Sequence, residues 1–199
     1  MEPAEIRPPI INLAEKLRET FPEEVAGIKE FRGQAGVILK RDRVVEIAKH
    51  LKENHEFDFD YLRDLCGVDH MTQGTYANMT QGSHPAGHKI PRFEVVYQLY
   101  SIRLKHALRL NVQVPAEDPA IETVTGVWRG ADWHERECYD MFGIVFNGHP
   151  DLRRVLLPED WEGFPLRKDY PTAGPEEEWR GYQEVLSKAE EFKKYIWKG

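Results

Sequence analysis

Between Phe93 and Val114 the chain carries two consecutive runs in which bulky, mostly apolar residues fall at every second position. Phe93, Val95, Tyr97 and Leu99 form the first run, and Leu104, His106, Leu108, Leu110, Val112 and Val114 the second. Successive side chains of a strand point to opposite faces, so this period makes an antiparallel pair with one buried face. Any fold open to the chain must therefore lay a second layer over that face.

The preceding residues supply candidates for the layer. Ile10, Ala14, Leu17 and Phe21 lie four, three and four apart, one face of an amphipathic helix that Pro22 stops. Runs over 25–32 and 35–40 joined through Gly33-Gln34 read as a β-hairpin. Asp42 suits the N-cap of a second helix whose stripe is Val44, Ile47, Ala48 and Leu51 and whose end is Asn54. A third strand is expected from Phe59 to Met71, followed by an aperiodic Gly- and Pro-bearing surface loop over 73–91. The order α-β-β-α-β-β-β fits a two-layer α+β sandwich, a mixed sheet with two helices on one face.

After Pro115 the character changes. A helix is expected from Trp133 to Phe142, opened by Asp132 and Glu135 as a capping box and ended by a left-handed Gly143. Past residue 157, Pro158, Gly163, Pro165, Pro171, Gly174 and Pro175 interrupt the chain. Trp161, Phe164 and Tyr170 lie among them and need burial, from the domain or from a partner. A terminal helix follows, with Pro175 and Glu176 to Glu178 at its start, Lys193, Lys194 and Lys198 at its end, and Tyr182, Leu186, Ala189 and Ile196 on one face. Three parts result: an α+β core over 1–115, a helix and turn packed on it over 116–157, and an extended partner-binding tail over 158–199.

Several function classes fall away. A net charge of −7 argues against nucleic acid as the main partner, since phosphate binding needs a basic face. No run approaches the length of a spanning helix, and the N-terminus lacks the basic start and apolar stretch of a signal peptide, so the expected compartment is the cytosol. The two cysteines, Cys66 and Cys138, are too few for an iron–sulfur cluster and read as small buried residues. Neither a Gly-x-Gly-x-x-Gly nor a phosphate-binding-loop motif occurs. His70, His84 and His88 offer a metal-enzyme alternative without fixed geometry. His134-Glu135 begins like a zinc-protease helix, but Cys138 stands where the second histidine is required.

The densest chemistry lies in Glu135-Arg136-Glu137, Asp140, Gly143, Gly148-His149-Pro150, Arg153-Arg154 and Arg167 through Pro171. Arg136 and Asp140 are four apart and can pair on a solvated helix surface. Paired planar arginines beside a Gly-His-Pro turn suit fixed contacts to carboxylates or carbonyls, which is an interface signature. On that reading, removing Arg153 and Arg154 together should leave the isolated domain folded.

These residues resemble the signature of a known family. Glu135-Arg136-Glu137, Asp140-Met141-Phe142-Gly143, Gly148-His149-Pro150, Leu152-Arg153-Arg154 and Leu166-Arg167-Lys168-Asp169-Tyr170-Pro171 are similar, in order and spacing, to the thirty-kilodalton (C) subunit of NADH–quinone oxidoreductase, respiratory complex I. The stretches 64–69 and 93–99 are similar more loosely. The resemblance implies a non-catalytic peripheral-arm subunit of a proton-translocating complex, docked on the forty-nine-kilodalton (D) subunit near the quinone site and beside the B and I subunits. NADH, FMN, iron–sulfur clusters and quinone would all belong to those partners. It implies a peripheral position on the cytoplasmic face of a bacterial inner membrane, reached only through the complex. The lack of a transit segment and of a fused hydrogenase-like sequence leads us to expect a separate bacterial subunit. Interface residues carried over are Glu135, Arg136, Glu137, Asp140, Gly143, His149, Pro150, Arg153, Arg154, Arg167, Asp169 and Tyr170. The runner-up is the equivalent subunit of a membrane-bound hydrogenase, formate hydrogenlyase, or ferredoxin- or F420-linked relative.

Overall fold

The computed structural model describes residues 10–71, 91–171 and 187–188. Helix α1 (Ile10–Thr20) buries Leu13, Ala14 and Leu17. Strands β1 (Val25–Phe31) and β2 (Gln34–Leu39) form the expected hairpin. Arg32 and Gly33 both take positive φ there, the turn geometry that matches the twist of two adjoining strands. Helix α2 (Val44–Glu53) buries Val44, Ile47, Ala48 and Leu51 and ends at Asn54. Its N-cap is Arg43, not Asp42, and no side chain caps it. The first turn is tied instead by the Arg43 guanidinium on Glu46.

Strands β3 (Tyr61–Asp69), β4 (Phe93–Tyr100) and β5 (Ala107–Val114) complete a five-stranded mixed sheet of order β1-β2-β5-β4-β3. Only β2 and β5 run parallel within it. β3 is two residues shorter at each end than its sequence pattern suggested. β5 also begins late, because Leu104 and His106 belong to the β4–β5 turn, closed by the Ser101 N–H on the His106 carbonyl. His106 faces the protein interior there, with its Nε2 2.7 Å from the Phe57 carbonyl oxygen.

Phe93, Val95, Tyr97 and Leu99 of β4 meet Leu108, Leu110, Val112 and Val114 of β5 in one continuous core. Three helices share that side. The third, α3 (Ala131–Phe142), runs along edge strand β3 and covers a margin that would otherwise offer itself to foreign strands. The same core takes in Ile121, Val124, Trp128, Ile144 and Phe146. Two short parallel strands, β6 (Ala120–Glu122) and β7 (Val145–Asn147), bracket α3 and had no sequence period long enough to announce them.

Cys138 is buried as expected, but Cys66 is exposed, because it pairs with Val96 on the side of the sheet away from the helices. The 73–91 loop, apart from Pro91, lies outside the described residues, as do His84, His88 and most of the expected terminal helix. Of that helix Ser187 and Lys188 are described, and both are helical. Among the described residues no helix is long and apolar enough to cross a membrane.

Gly67 lies where α3 presses on β3: a Cβ there would stand 2.6 Å from the Phe142 ring and 3.0 Å from the Cys138 Sγ. Gly67→Ala should cost about 1–3 kcal/mol, the usual penalty for overpacking, as read from urea denaturation.

Candidate functional site

Asp140 sits on the inner side of α3, fully buried. One carboxylate oxygen accepts three consecutive backbone N–H groups, from Val155 at 3.0 Å, Leu156 at 2.8 Å and Leu157 at 2.9 Å. The other accepts Arg154 Nη1 at 2.7 Å. Burial alone would raise this carboxyl's pKa. The four donors prevail and hold it below the usual carboxylate range.

Arg154 extends the network outward. Nη1 also meets the Asp140 carbonyl, while Nη2 donates to the carbonyls of Trp161 at 2.9 Å and Gly163 at 3.0 Å. Its guanidinium lies 5.2 Å from the Phe164 ring centre. A single planar fork thus ties α3 to residues 158–165, a strap without regular secondary structure. Arg136 does not pair with Asp140 across the helix surface. It is buried, stacked on Trp133 at 4.8 Å, and donates to the carbonyls of Arg153 and Arg154. The expected surface pair fails because the 153–157 backbone lies closer to both side chains.

The C-terminus of α3 is closed by the same strap. Gly143 takes φ 68° and its N–H returns to the Tyr139 carbonyl, the left-handed cap read from the sequence. The Leu166 N–H reaches the Met141 carbonyl, and Arg167 Nε donates to the Phe142 carbonyl at 2.6 Å. A Cβ on Gly143 would stand within 2.6 Å of both Phe164 and Arg167, so the position needs glycine for space as well as for φ. Arg167 lies over the Phe93 and Phe164 rings, and burial, with Arg92 nearby, lowers its pKa.

A second clasp pins the strap's far end to the sheet. Arg92 donates to both oxygens of buried Asp69 and, at 2.7 Å, to Asp169. The Lys168 N–H adds a bond to Asp69 at 2.9 Å. Despite burial, Arg92 and the backbone donors hold Asp69 below its ordinary pKa, and Arg92 does the same for Asp169. Tyr170 closes over Gly163, where a Cβ would lie 2.6 Å from its ring. Of the two sources of burial open to Trp161, Phe164 and Tyr170, the domain itself supplies much of it, since all three are half-buried.

Glu135 belongs to a separate polar cluster. The capping box does not form: α3 starts at Ala131, Gly130 takes the N-cap, and no side chain caps it. Glu135 points inward, fully buried, and accepts the Thr123 hydroxyl and the Val124 N–H. The buried ring of His149 stands 4.0 Å away; its Nδ1 accepts the Asp151 N–H, so in the neutral ring Nε2 carries the proton toward the Asp132 carbonyl at 3.2 Å. With Asp132 nearby and no cation paired to it, burial pushes the Glu135 pKa up to about 7.

The outer surface is different in kind. Trp133 is 63% exposed, Leu156 62% and Leu166 51%, while Glu137, Pro150 and Arg153 also face outward. Sequence reasoning chose charged signature residues and passed over these three apolar ones, along with Thr123, Asp69 and Arg92. Asp69 carried a signal as the acid ending β3. The rest become legible only when the chain is folded. Among the described residues no group of three or more His, Cys, Asp or Glu side chains could hold a metal ion; His70 bonds Glu94 at 2.9 Å.

The fold and site define a two-layer α+β module whose signature helix is bound to an arginine-laced strap. Residues 37–176 match the family "Respiratory-chain NADH dehydrogenase, 30 Kd subunit". The chain is 43% identical over 162 residues to the C subunit of NADH-quinone oxidoreductase from Roseiflexus sp. (strain RS-1), covering 81% of this chain and 84% of that one. It is 46% identical over 160 residues to the corresponding subunit from Geobacter metallireducens, covering 80% and 88%. Among solved structures, the trypsin-resistant fragment (1-134) of Nqo5 aligns with a TM-score of 0.57 at 34% identity, covering 73% of this chain and all of the fragment. A chain of the archaeal membrane-bound sulfane sulfur reductase aligns with a TM-score of 0.61 at 20% identity over 89% and 91%, a likeness of fold alone. The protein belongs to the 30 kDa subunit family of the respiratory-chain NADH dehydrogenase, complex I.

Arg154→Ala should cost about 3–5 kcal/mol, since it strands a buried carboxylate and frees the strap. Arg153→Ala, which loses only an exposed pair with Asp151, should stay within about 0.5 kcal/mol in the same thermal melts. The two arginines are therefore not equivalent, and the double variant should not remain fully folded.

Glu135 makes stability depend on pH. Its unfolded-state pKa is the ordinary one, about 4.3, and its folded-state value is about 7, so the folded protein binds the extra proton between them. Stability should decline as pH rises through that window, by at most about 1.4 kcal/mol per pH unit, and level off above it. Denaturation series at stepped pH should show Glu135→Gln lacking that decline.

Proposed function

We propose that the chain is a non-catalytic peripheral-arm subunit of a proton-translocating NADH-quinone oxidoreductase, docked on the forty-nine-kilodalton (D) subunit near the quinone site and adjoining the B and I subunits. On this reading FMN, iron–sulfur clusters, NADH and quinone are held by partners, and the chain reaches the cytoplasmic face of a bacterial inner membrane only through them. One observation carries it: Trp133, Leu156 and Leu166 are held out toward solvent by a scaffold whose charges are spent on internal bonds. Large apolar side chains on a rigid support are what a protein interface uses as anchors, because little entropy remains to be lost on binding.

The division of labour follows. Residues 1–115 carry the platform, 116–157 present the helix, and 158–199 contribute to the partner contact. Glu135, Asp140, Arg136, Arg154, Arg167 and Asp169 act by ordering that surface, with Gly143, His149 and Tyr170 shaping its turns. Glu137, Pro150 and Arg153 touch the partner. The fold also occurs in the 20% identical sulfane sulfur reductase chain, so fold alone does not separate the NADH-quinone reading from the hydrogenase-type alternative; relatives at 43% and 46% identity favour the NADH-quinone enzyme.

Trp133→Ser combined with Leu156→Ser should lower the melting temperature only slightly, through loss of the Trp133 ring beneath Arg136, and sharply reduce the D subunit recovered with the chain from mild-detergent extracts. Full recovery of that partner, or a collapse in melting temperature, would count against the assignment.

A further inference from the structure

The side of the sheet away from the helices divides into two halves. In its upper half Ile38, Val96 and Glu94 are buried, with Cys66 left exposed at the edge beside Val96. Its lower half is open, and strand register shows what stands there. Phe31 pairs with Gln34, and continuing the β2–β5 register from Gly36 and Arg109 sets Gln34 level with Ala107. Ala107 pairs with Tyr100, and Tyr100 with Tyr61. Residues in one such row face the same side. Phe31 and Tyr61 thus end a single row across five strands, about 19 Å apart at ordinary strand spacing. Phe31 is 69% exposed and Tyr61 50%, with Ile102 in the adjoining turn at 52%.

The next row on this side places Lys29 beside Gly36, then Arg109, Gln98 and Asp64. Arg32 lies 5.0 Å from the Phe31 ring centre and Arg63 5.5 Å from that of Tyr100. Lys29, Arg32, Arg63 and Arg109 are all exposed and form no ion pair among the described residues. The face's own carboxylates have partners: Asp64 is 3.6 Å from His134, and Glu94 2.9 Å from His70. Glu30 shares its row with Ala35 on the opposite side. A chain of net charge −7 thus concentrates four unpaired cations and three exposed apolar side chains on one flat surface.

We propose that this open half-sheet, with Phe31, Tyr61 and Ile102 among Lys29, Arg32, Arg63 and Arg109, is a second docking surface that receives an acidic segment of another protein chain. Charge complementarity selects the occupant. Once a partner strips water from these unpaired cations they need carboxylates opposite them, and the aromatic rings supply the apolar contact between. A nucleic acid or an anionic membrane would meet the repulsion of the whole molecule at longer range, and four cations over so small an area do not offset it. The surface meets α3 only at its margin, where Asp64 faces His134, and includes neither Trp133 nor the strap; its role rests on the chain working inside an assembly.

The test uses the complex from the native host with p-benzoylphenylalanine in place of Phe31 or Tyr61. Irradiation should join each position to a protein chain, and mass spectrometry should locate both joints in a stretch rich in Asp and Glu. Lys29→Glu with Arg109→Glu should lower the yield several-fold, while the Trp133 and Leu156 contact persists. Joining to lipid or nucleic acid, to a stretch without acidic residues, or to nothing while the chain is present in the complex would overturn this surface alone. Absence of the unsubstituted chain from the purified complex would overturn the assembly reading, and this one with it.

Discussion

The architecture of the C-terminal half turns on one carboxylate. Asp140 is closed off from water, yet it stays ionised because three successive peptide N–H groups and a guanidinium converge on it. A buried anion without such donors would protonate or unfold its surroundings. The need to satisfy Asp140 sets the path of residues 153–157, and that path sets where Arg136 finds its carbonyls. Arg154, already held by Asp140, then has a free edge for Trp161 and Gly163. Each bond defines the position from which the next is made.

Arginine recurs in this cluster for a geometric reason. Arg136, Arg154 and Arg167 each meet main-chain carbonyls as well as an aromatic ring, a combination that a planar, multiply donating cation achieves and a lysine ammonium does not. The strap has almost no repeating backbone bonds of its own. Side-chain donors replace them and tie its path to α3. Arg92 completes the enclosure from the sheet by spanning Asp69 and Asp169.

Much of this was legible in the chain's periodicities. The alternation in β4 and β5 fixed the buried face, and the stripes of α1 and α2 fixed the layer above it. The left-handed Gly143 followed from its place after an apolar helix end. Charged residues were less transparent. Glu135 three positions after Asp132 has the spacing of a capping box, and Arg136 four before Asp140 that of a surface pair, but both carboxylates turn inward to backbone donors distant in sequence. Local spacing reports which pairs can meet within a helix; it is blind to a loop that arrives from elsewhere. The same blindness hid Trp133, Leu156 and Leu166, whose exposure emerges only from the packing around them. Cys66 failed for the converse reason, an apolar-looking position on the wrong side of an otherwise correct strand.

The parallel pairing of β2 with β5 has a consequence for how the molecule is made. Gly36 and Arg109 are neighbours across that seam, although more than seventy residues separate them. On a ribosome the N-terminal hairpin emerges early and waits, its inner edge bare, until β5 appears and fills the gap between it and β4. The two ends of the sheet are thus joined by the last strand to arrive, a long loop closure that slows folding and prolongs exposure of that edge. Only afterward is there a finished floor on which α3 can settle, so the helix and the strap bound to it take shape after the sheet.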